Sequence, residues 1–272
     1  MSGMGEILFD DGFHRVIMFC DLVEEDDHIE AVQSNQFLIV HGDSGILLDP
    51  GGAMTYNRLY MAISHYFSPK KLSAIFASHQ DPDIVASLSR WLSFSDTKLI
   101  ISELWTRFVP HFCPEGKTTD RIIPLSDKGI WMTIEGAEYG FIPAHYLHSE
   151  GNFQLYDPIS KILFSGDLGV SLVDPKKVAT PIETFKDYIP YMEGFHQRYM
   201  ISNKACRLWA HMIRELDIEM ILPQHGSPML DKQVIHDFIN WVAQLRCGVD
   251  LVDQDTYQIP KLHMPIEDMK VV

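Results

Sequence analysis

The stretch Leu72-Ser73-Ala74-Ile75-Phe76-Ala77-Ser78-His79-Gln80-Asp81-Pro82-Asp83 decides the fold of this chain. Its opening is a short, nearly continuous apolar run, which predicts a strand buried on both faces. The run stops at Ser78, and an imidazole and two carboxylates follow at once: His79, Asp81 and Asp83. On its own a His-x-Asp-x-Asp run is a weak signal, because a polar residue after a strand is most often a turn or helix-cap residue. Three other strand-like runs end in the same way. Residues 139–142 run on to His145-Tyr146-Leu147-His148, residues 162–164 to Ser165-Gly166-Asp167, and residues 220–222 to Pro223-Gln224-His225. Strand ends are where a rigid scaffold aims side chains into one cleft.

Outward from that stretch, residues 37–41 and 45–48 predict strands closed by the turn Asp49-Pro50-Gly51-Gly52, and residues 58–67 a helix. After it come a helix over 84–94, a strand over 99–102 and a helix over 103–112. The middle is strand-rich: 130–134, 139–142, 153–156 and 162–164. Helical periodicity returns over 184–198 and 204–216, then a strand over 220–222 and a helix over 233–245. Strands then helices, twice over, predict an α/β fold: a four-layer αββα sandwich of two sheet-plus-helix halves. No repeat, low-complexity tract or long linker interrupts the chain. A single domain over 1–272 is expected, with its core over about 30–230 and a C-terminal helix and tail over 231–272.

His79, Asp81, Asp83, His148, Asp167 and His225 make a set of three imidazoles and three carboxylates. Such a set suits two metal ions about 3.5–4 Å apart, and Asp167, with two oxygens, is the natural bridge. With no thiolate in the set, the donors lean away from structural zinc and toward iron or manganese. Ligand type alone leaves the metal open.

Composition excludes other classes. A formal charge of −15 repels phosphate backbones and anionic lipid, so neither nucleic-acid binding nor membrane docking is expected. No apolar run is long enough for a membrane span, and the N-terminus lacks the basic-then-apolar order of a signal peptide. Cys20, Cys113, Cys206 and Cys247 are far apart in sequence with no CxxC pair, as expected of thiols in a reducing cytoplasm. No GxGxxG or Walker pattern occurs.

At the six candidate ligands the sequence resembles the metallo-β-lactamase superfamily. Asn35-Gln36-Phe37-Leu38-Ile39 followed by Ile46-Leu47-Leu48-Asp49-Pro50-Gly51 is similar to its opening hairpin, and the order of the six matches its ligand order. The zinc hydrolases of that superfamily usually show His-x-His-x-Asp-His. Here Asp81 stands at the second His and Ile84 at the last. The carboxylate resembles the flavodiiron branch, with its His-x-Glu-x-Asp motif. The flavodoxin-like domain that follows in that branch is not expected in this chain.

The run from His79 to Asp83, with Phe195-His196-Gln197-Arg198-Tyr199-Met200, resembles the oxygen-binding di-iron proteins, stand-alone relatives of the flavodiiron core linked to chemotaxis receptors. The resemblance implies two iron ions: His79, Asp81 and His148 on the first, Asp83 and His225 on the second, Asp167 bridging. Ile84 leaves the second ion one imidazole short, an open position for dioxygen or water. The implied function is a cytoplasmic oxygen sensor, homodimeric like the flavodiiron relatives and signalling to a chemotaxis receptor. Two rivals stay open: a reductase of O₂ or NO fed by an external electron donor, and a metal-dependent hydrolase.

No catalytic residue is assigned. Tyr146 is two positions before His148; on extended backbone both would face one side, where Tyr146 either hydrogen-bonds a bound oxygen species or packs as a core tyrosine. His145 should face away. Glu150 is either a partner for His148 or a solvated loop acid. His28, in the acidic loop 24–30, occupies the region from which a flavodiiron histidine reaches the cleft, without a clean match in spacing. His196 and Arg198 serve the site, an interface or a helix surface. His14, His41, His65, His111, His211, His236 and His263 read as surface or satisfied histidines, and Met192, Met200 and Met212 as core gap-fillers.

Overall fold

Strand β3 (Gln36–His41) shows how the layers arise. Phe37 and Ile39 pack into one buried apolar cluster and Leu38 and Val40 into another, as the two-residue period of a strand requires. The same split separates Ile46 and Leu48 from Leu47 in β4 (Ser44–Leu48), Ala74 and Phe76 from Ile75 in β5 (Leu72–Phe76), and Ile100 from Leu99 and Ile101 in β6 (Lys98–Ser102). A sheet apolar on both faces needs cover on both. One face meets helices and the other a second sheet.

The computed structural model describes residues 5–20, 22, 32–113, 116–174, 177–261 and 265–266. The first sheet has seven strands in chain order, β1 to β7, with β1 (Glu6–Asp10), β2 (His14–Phe19) and β7 (Ile122–Leu125) joining those above. It is antiparallel through β4 and parallel from β4 to β7. The second sheet runs β12-β11-β10-β9-β8, from β8 (Ile130–Ile134), β9 (Ala137–Pro143), β10 (Phe153–Asp157), β11 (Ile162–Gly166) and β12 (Met220–Pro223). Between the sheets lies an aromatic-rich core in which Phe37 meets Phe164 edge-on at 5.1 Å and Phe76 meets Phe141 at 5.2 Å. Helices α1 (Tyr56–Ser64), α2 (Pro82–Val85) and α3 (Leu88–Phe94) cover the first sheet. Helices α4 (Phe185–Tyr199), α5 (Asn203–Ile213) and α6 (Lys232–Gln244) cover the second. The expected αββα sandwich is therefore present as one domain. Among the described residues no helix is long and apolar enough to cross a membrane.

Three departures have physical reasons. Strands β1, β2 and β7 were not expected; β1 and β7 are sheet edges, β1 is largely exposed, and β7 carries Pro124, tolerated in a sheet only where no donor is needed. The helix expected over 84–94 breaks into α2 and α3, because buried Ser87 between them turns its hydroxyl onto the carbonyl oxygens of Pro50 and Gly51, at 3.0 and 2.6 Å. The helix expected over 103–112 is a 3-10 helix (Glu103–His111) with Pro110 inside it, where proline removes a backbone donor.

Candidate metal centre

Four strand ends meet at one edge of the sandwich. After β5 the chain turns into α2, with Asp81 extended at the helix N-cap and Pro82 at its first position, where the missing N–H costs nothing. This places His79, Asp81 and Asp83 on one short bend. Gln224 N–H donates to the carbonyl oxygen of Gly166 (2.8 Å), tying the Asp167 end of β11 to the His225 end of β12. Buried Asn35 donates its amide to the carbonyl oxygens of Pro223 and Gly226, both at 2.9 Å, and clamps the His225 loop. Gly226 (φ +86°) can be nothing else, since a Cβ there would stand 1.9 Å from Ser171 Oγ.

The six expected side chains fall into two groups that share Asp167. Asp167 Oδ2 lies 2.9 Å from His148 Nε2 and 3.6 Å from His79 Nε2, and Asp81 Oδ2 lies 3.4 and 3.7 Å from the same two nitrogens. These four residues converge tightly enough to hold one ion. The other oxygen, Asp167 Oδ1, faces His225 Nε2 at 3.8 Å, and His225 Nε2 lies 3.1 Å from Asp83 Oδ2. One carboxylate thus looks toward both groups. Ile84 is fully buried in the helix-side core, so α2 adds no further ligand through it.

The donors fit a cation better than they fit each other. His79 Nε2 and Asp167 Oδ1 are buried without a hydrogen-bond partner, a costly state that a bound ion would relieve. Burial alone would draw the imidazoles down, yet the carboxylates outweigh it. Asp167 and Asp81 push His148 up to about 10 and His79 upward, and Asp83 and Asp167 push His225 up to about 9. Burial would raise Asp81 and Asp167, but the surrounding imidazoles hold both below the usual carboxylate range. The cluster calls for positive charge at its centre.

The outer hydrogen bonds orient the ligands. His79 Nδ1 donates to Ser78 Oγ (3.0 Å), and that hydroxyl donates to Asp49 Oδ2 (2.9 Å), while Asp49 Oδ1 accepts Ser78 N–H (2.8 Å). Burial pushes Asp49 up to about 6 against these bonds. His225 Nδ1 donates to the carbonyl oxygen of Gln33 at 2.7 Å. Both imidazoles are thereby held with Nε2 toward the cluster, where a metal would displace the proton and take the nitrogen. Asp49, expected only as a turn residue, was missed, although it follows the apolar run of β4 as the candidate ligands follow theirs. Ser78→Ala is expected to weaken metal affinity about 10–100-fold, the range for losing such an outer partner, with the fold retained; a chelator-competition titration measures it.

Other candidates are placed differently. The His148 loop is a turn, not extended: Leu147 N–H donates to the carbonyl oxygen of Ala144 (3.1 Å), Asn152 holds the carbonyl oxygen of Leu147 (2.6 Å), and Tyr146 has φ +67°. The basis for placing Tyr146 beside His148 over the metals therefore fails. Tyr146 is exposed and lines a second cavity of about 640 Å³, which it shares with His148 and Tyr199. His145 faces away and bonds the carbonyl oxygen of Asp127 (2.8 Å), and Glu150 is exposed. His196 is not a helix-surface residue; it is fully buried, donating from Nδ1 to the carbonyl oxygen of Met192 (2.8 Å) and accepting Gly169 N–H at Nε2 (3.0 Å). Arg198 is exposed. His14 is a satisfied buried histidine on Asp157 (2.8 Å), and Met192 and Met200 are core. His28 and His263 lie outside the described residues.

The site opens into a cavity of about 710 Å³ lined by five of the six candidates, His79 being buried behind them; its other walls are largely apolar, with Val32, Met54, Val170, Leu172 and Phe195 among them. Phe195 and Tyr199, one turn apart on α4, stack at 4.6 Å and flank the His148 ring at 6.2 and 5.7 Å. Small apolar molecules can reach the ligands past these walls.

Residues 32–226, more than half of the chain, match the family model described as the ODP family of β-lactamases. The chain belongs to the ODP family. Two solved structures are 38% identical to it: the peroxy di-iron species of the chemotaxis sensor ODP (TM-score 0.81, 93% of this chain, 100% of that one) and the apo state of ODP from T. denticola (0.82, 93% and 98%). A variant of the flavo di-iron protein from Thermotoga maritima is 22% identical over 88% of this chain and 60% of that one, with TM-score 0.72, and shares the fold. Among curated proteins, the uncharacterized protein MJ0732 of Methanocaldococcus jannaschii is 26% identical over 75% of this chain and 51% of its own length. The chain thus spans about half the length of that curated relative.

Proposed function

We propose that this member of the ODP family is a non-haem di-iron protein that binds dioxygen and acts as a cytoplasmic oxygen sensor in chemotaxis signalling. The observation that carries the reading is Asp167, whose two oxygens face two separate sets of ligands while its Oδ1 and the neighbouring His79 Nε2 are buried and unpartnered. The 38%-identical solved structure is described as a peroxy di-iron species of a chemotaxis sensor, which supports iron and dioxygen as the metal and ligand. His79, Asp81 and His148 would hold one iron, Asp83 and His225 the other, and Asp167 both. A pair of ferrous ions, when bound, supplies two electrons and an open coordination position for dioxygen. The protein's part is positional. Ser78 and the carbonyl oxygen of Gln33 fix the imidazoles, and a largely apolar wall lines the approach to the site. A homodimer, with a chemotaxis receptor as partner, completes the proposal.

The test is anaerobic purification, elemental analysis, and a visible spectrum before and after admitting air. Two irons per chain and a new band that persists are the expected outcome. A band that decays only with added reductant would favour an O₂ or NO reductase with an external donor instead. Two zincs and a silent spectrum would overturn the reading in favour of a hydrolase.

A further inference from the structure

Cys206 on α5 and Cys247 after α6 are 41 residues apart in sequence, yet their sulfurs lie 3.7 Å apart as free thiols. Their spacing along the chain suggested no pair. The fold makes one, because α5 and α6 pack side by side and the chain leaving α6 folds back across α5. Both thiols are buried in the cluster beneath α4–α6. The second cavity, of about 640 Å³, is lined by Gly248, the residue after Cys247, and by Met200, which packs in the same cluster as the thiols. The pair is therefore buried beside residues of that cavity's wall without lining it.

We propose that Cys206 and Cys247 form a dithiol site that hydrogen peroxide oxidises to a disulfide. The S–H···S contact between the two draws the Cys247 thiol down and favours it as the nucleophile. Cys247 attacks one peroxide oxygen; the O–O bond breaks, and the departing hydroxide takes the thiol proton as water. The resulting sulfenic acid is attacked by Cys206; the S–S bond forms, the S–O bond breaks, and a second water leaves with the Cys206 proton. Two thiols lose two electrons, and one peroxide becomes two waters.

Closing the pair has somewhere to act. A disulfide holds its sulfurs at about 2.0 Å, well inside the present 3.7 Å. The turn after Cys247 fits tightly: a Cβ on Gly248 (φ +50°) would stand 2.3 Å from the carbonyl oxygens of Met200 and Ile201. Val249 N–H donates to the carbonyl oxygen of Ile201 (2.8 Å), and Ile201 N–H donates to that of Tyr146 (3.2 Å). A backbone path thus leads from the dithiol to the loop that carries His148.

The protein, both metal-loaded and chelator-treated, is exposed to excess hydrogen peroxide, quenched by alkylation in denaturant so that every free thiol is labelled, and peptide-mapped. Two of the four cysteines are expected to resist alkylation until reductant is added, with one crosslinked peptide joining residues 206 and 247. Cys206→Ser and Cys247→Ser should each lose that peptide and Cys20→Ser should keep it. Four alkylated cysteines, a crosslink through Cys20 or Cys113, or over-oxidation of one thiol without a crosslink would overturn the proposal. The wild-type map decides even where a variant folds poorly, and the chelator-treated sample reads thiol oxidation apart from any reaction of peroxide with a bound metal.

Discussion

Asp167→Asn is expected to lower the metal content from two ions per chain to one or fewer, and to abolish the spectral response to air, with the fold intact. Asparagine keeps the volume and one acceptor oxygen, so the 4%-exposed site is neither emptied nor overpacked. It lacks the charge and the second anionic oxygen. The side of Asp167 facing His79, Asp81 and His148 would keep three protein ligands, but the side facing Asp83 and His225 would keep two. The second side has no reserve, because the position where related hydrolases carry another imidazole is Ile84, buried in the apolar core. Asp81→Asn, at the rim of the first group only, is expected to spare more of the second ion. Elemental analysis beside circular dichroism separates loss of ligand from loss of fold. Two ions retained in Asp167→Asn would remove the bridging role.

The convergence of the six candidate side chains was legible because each follows an apolar strand by only a few residues. A sheet aligns its strand ends, so local sequence carried long-range information. The layers were legible for a related reason: the apolar residues of β3 to β6 run consecutively while alternating between two buried faces, as a sheet covered on both sides requires. What escaped depends on contacts between distant segments. Ser78 is adjacent to His79, yet its role needs Asp49, just past β4, to accept its hydrogen bond. Nothing near Cys206 points to Cys247. Tyr146 was judged from an extended backbone, and the turn held by Asn152 sends it to another cavity. His196 on α4 has the periodicity of a half-exposed helix, and its burial is set by Trp241 of α6 at 5.1 Å and by Gly169 beyond β11.

That burial of His196 has a measurable consequence in acid. Burial pulls the imidazole down to about 4 from an ordinary 6.5. The bond from Gly169 N–H into Nε2 requires the neutral ring. The unfolded chain takes up a proton near pH 6.5, while the folded chain refuses it until about pH 4. The stability this group contributes is therefore present above pH 6.5 and lost as pH falls through that window. A gap of about 2.5 in pKa, at about 1.36 kcal/mol each, amounts to about 3 kcal/mol. His196→Leu removes the titration at similar size. It also leaves Gly169 N–H, two residues beyond Asp167, without its partner, at a cost of about 1–3 kcal/mol. The variant is thus expected to be less stable than wild type at pH 7.5 and to lose about 3 kcal/mol less between pH 7.5 and pH 4. Urea denaturation of both proteins, loaded alike, across that range measures the difference. Parallel losses would mean that the folded protein accepts a proton at His196 as readily as the unfolded one.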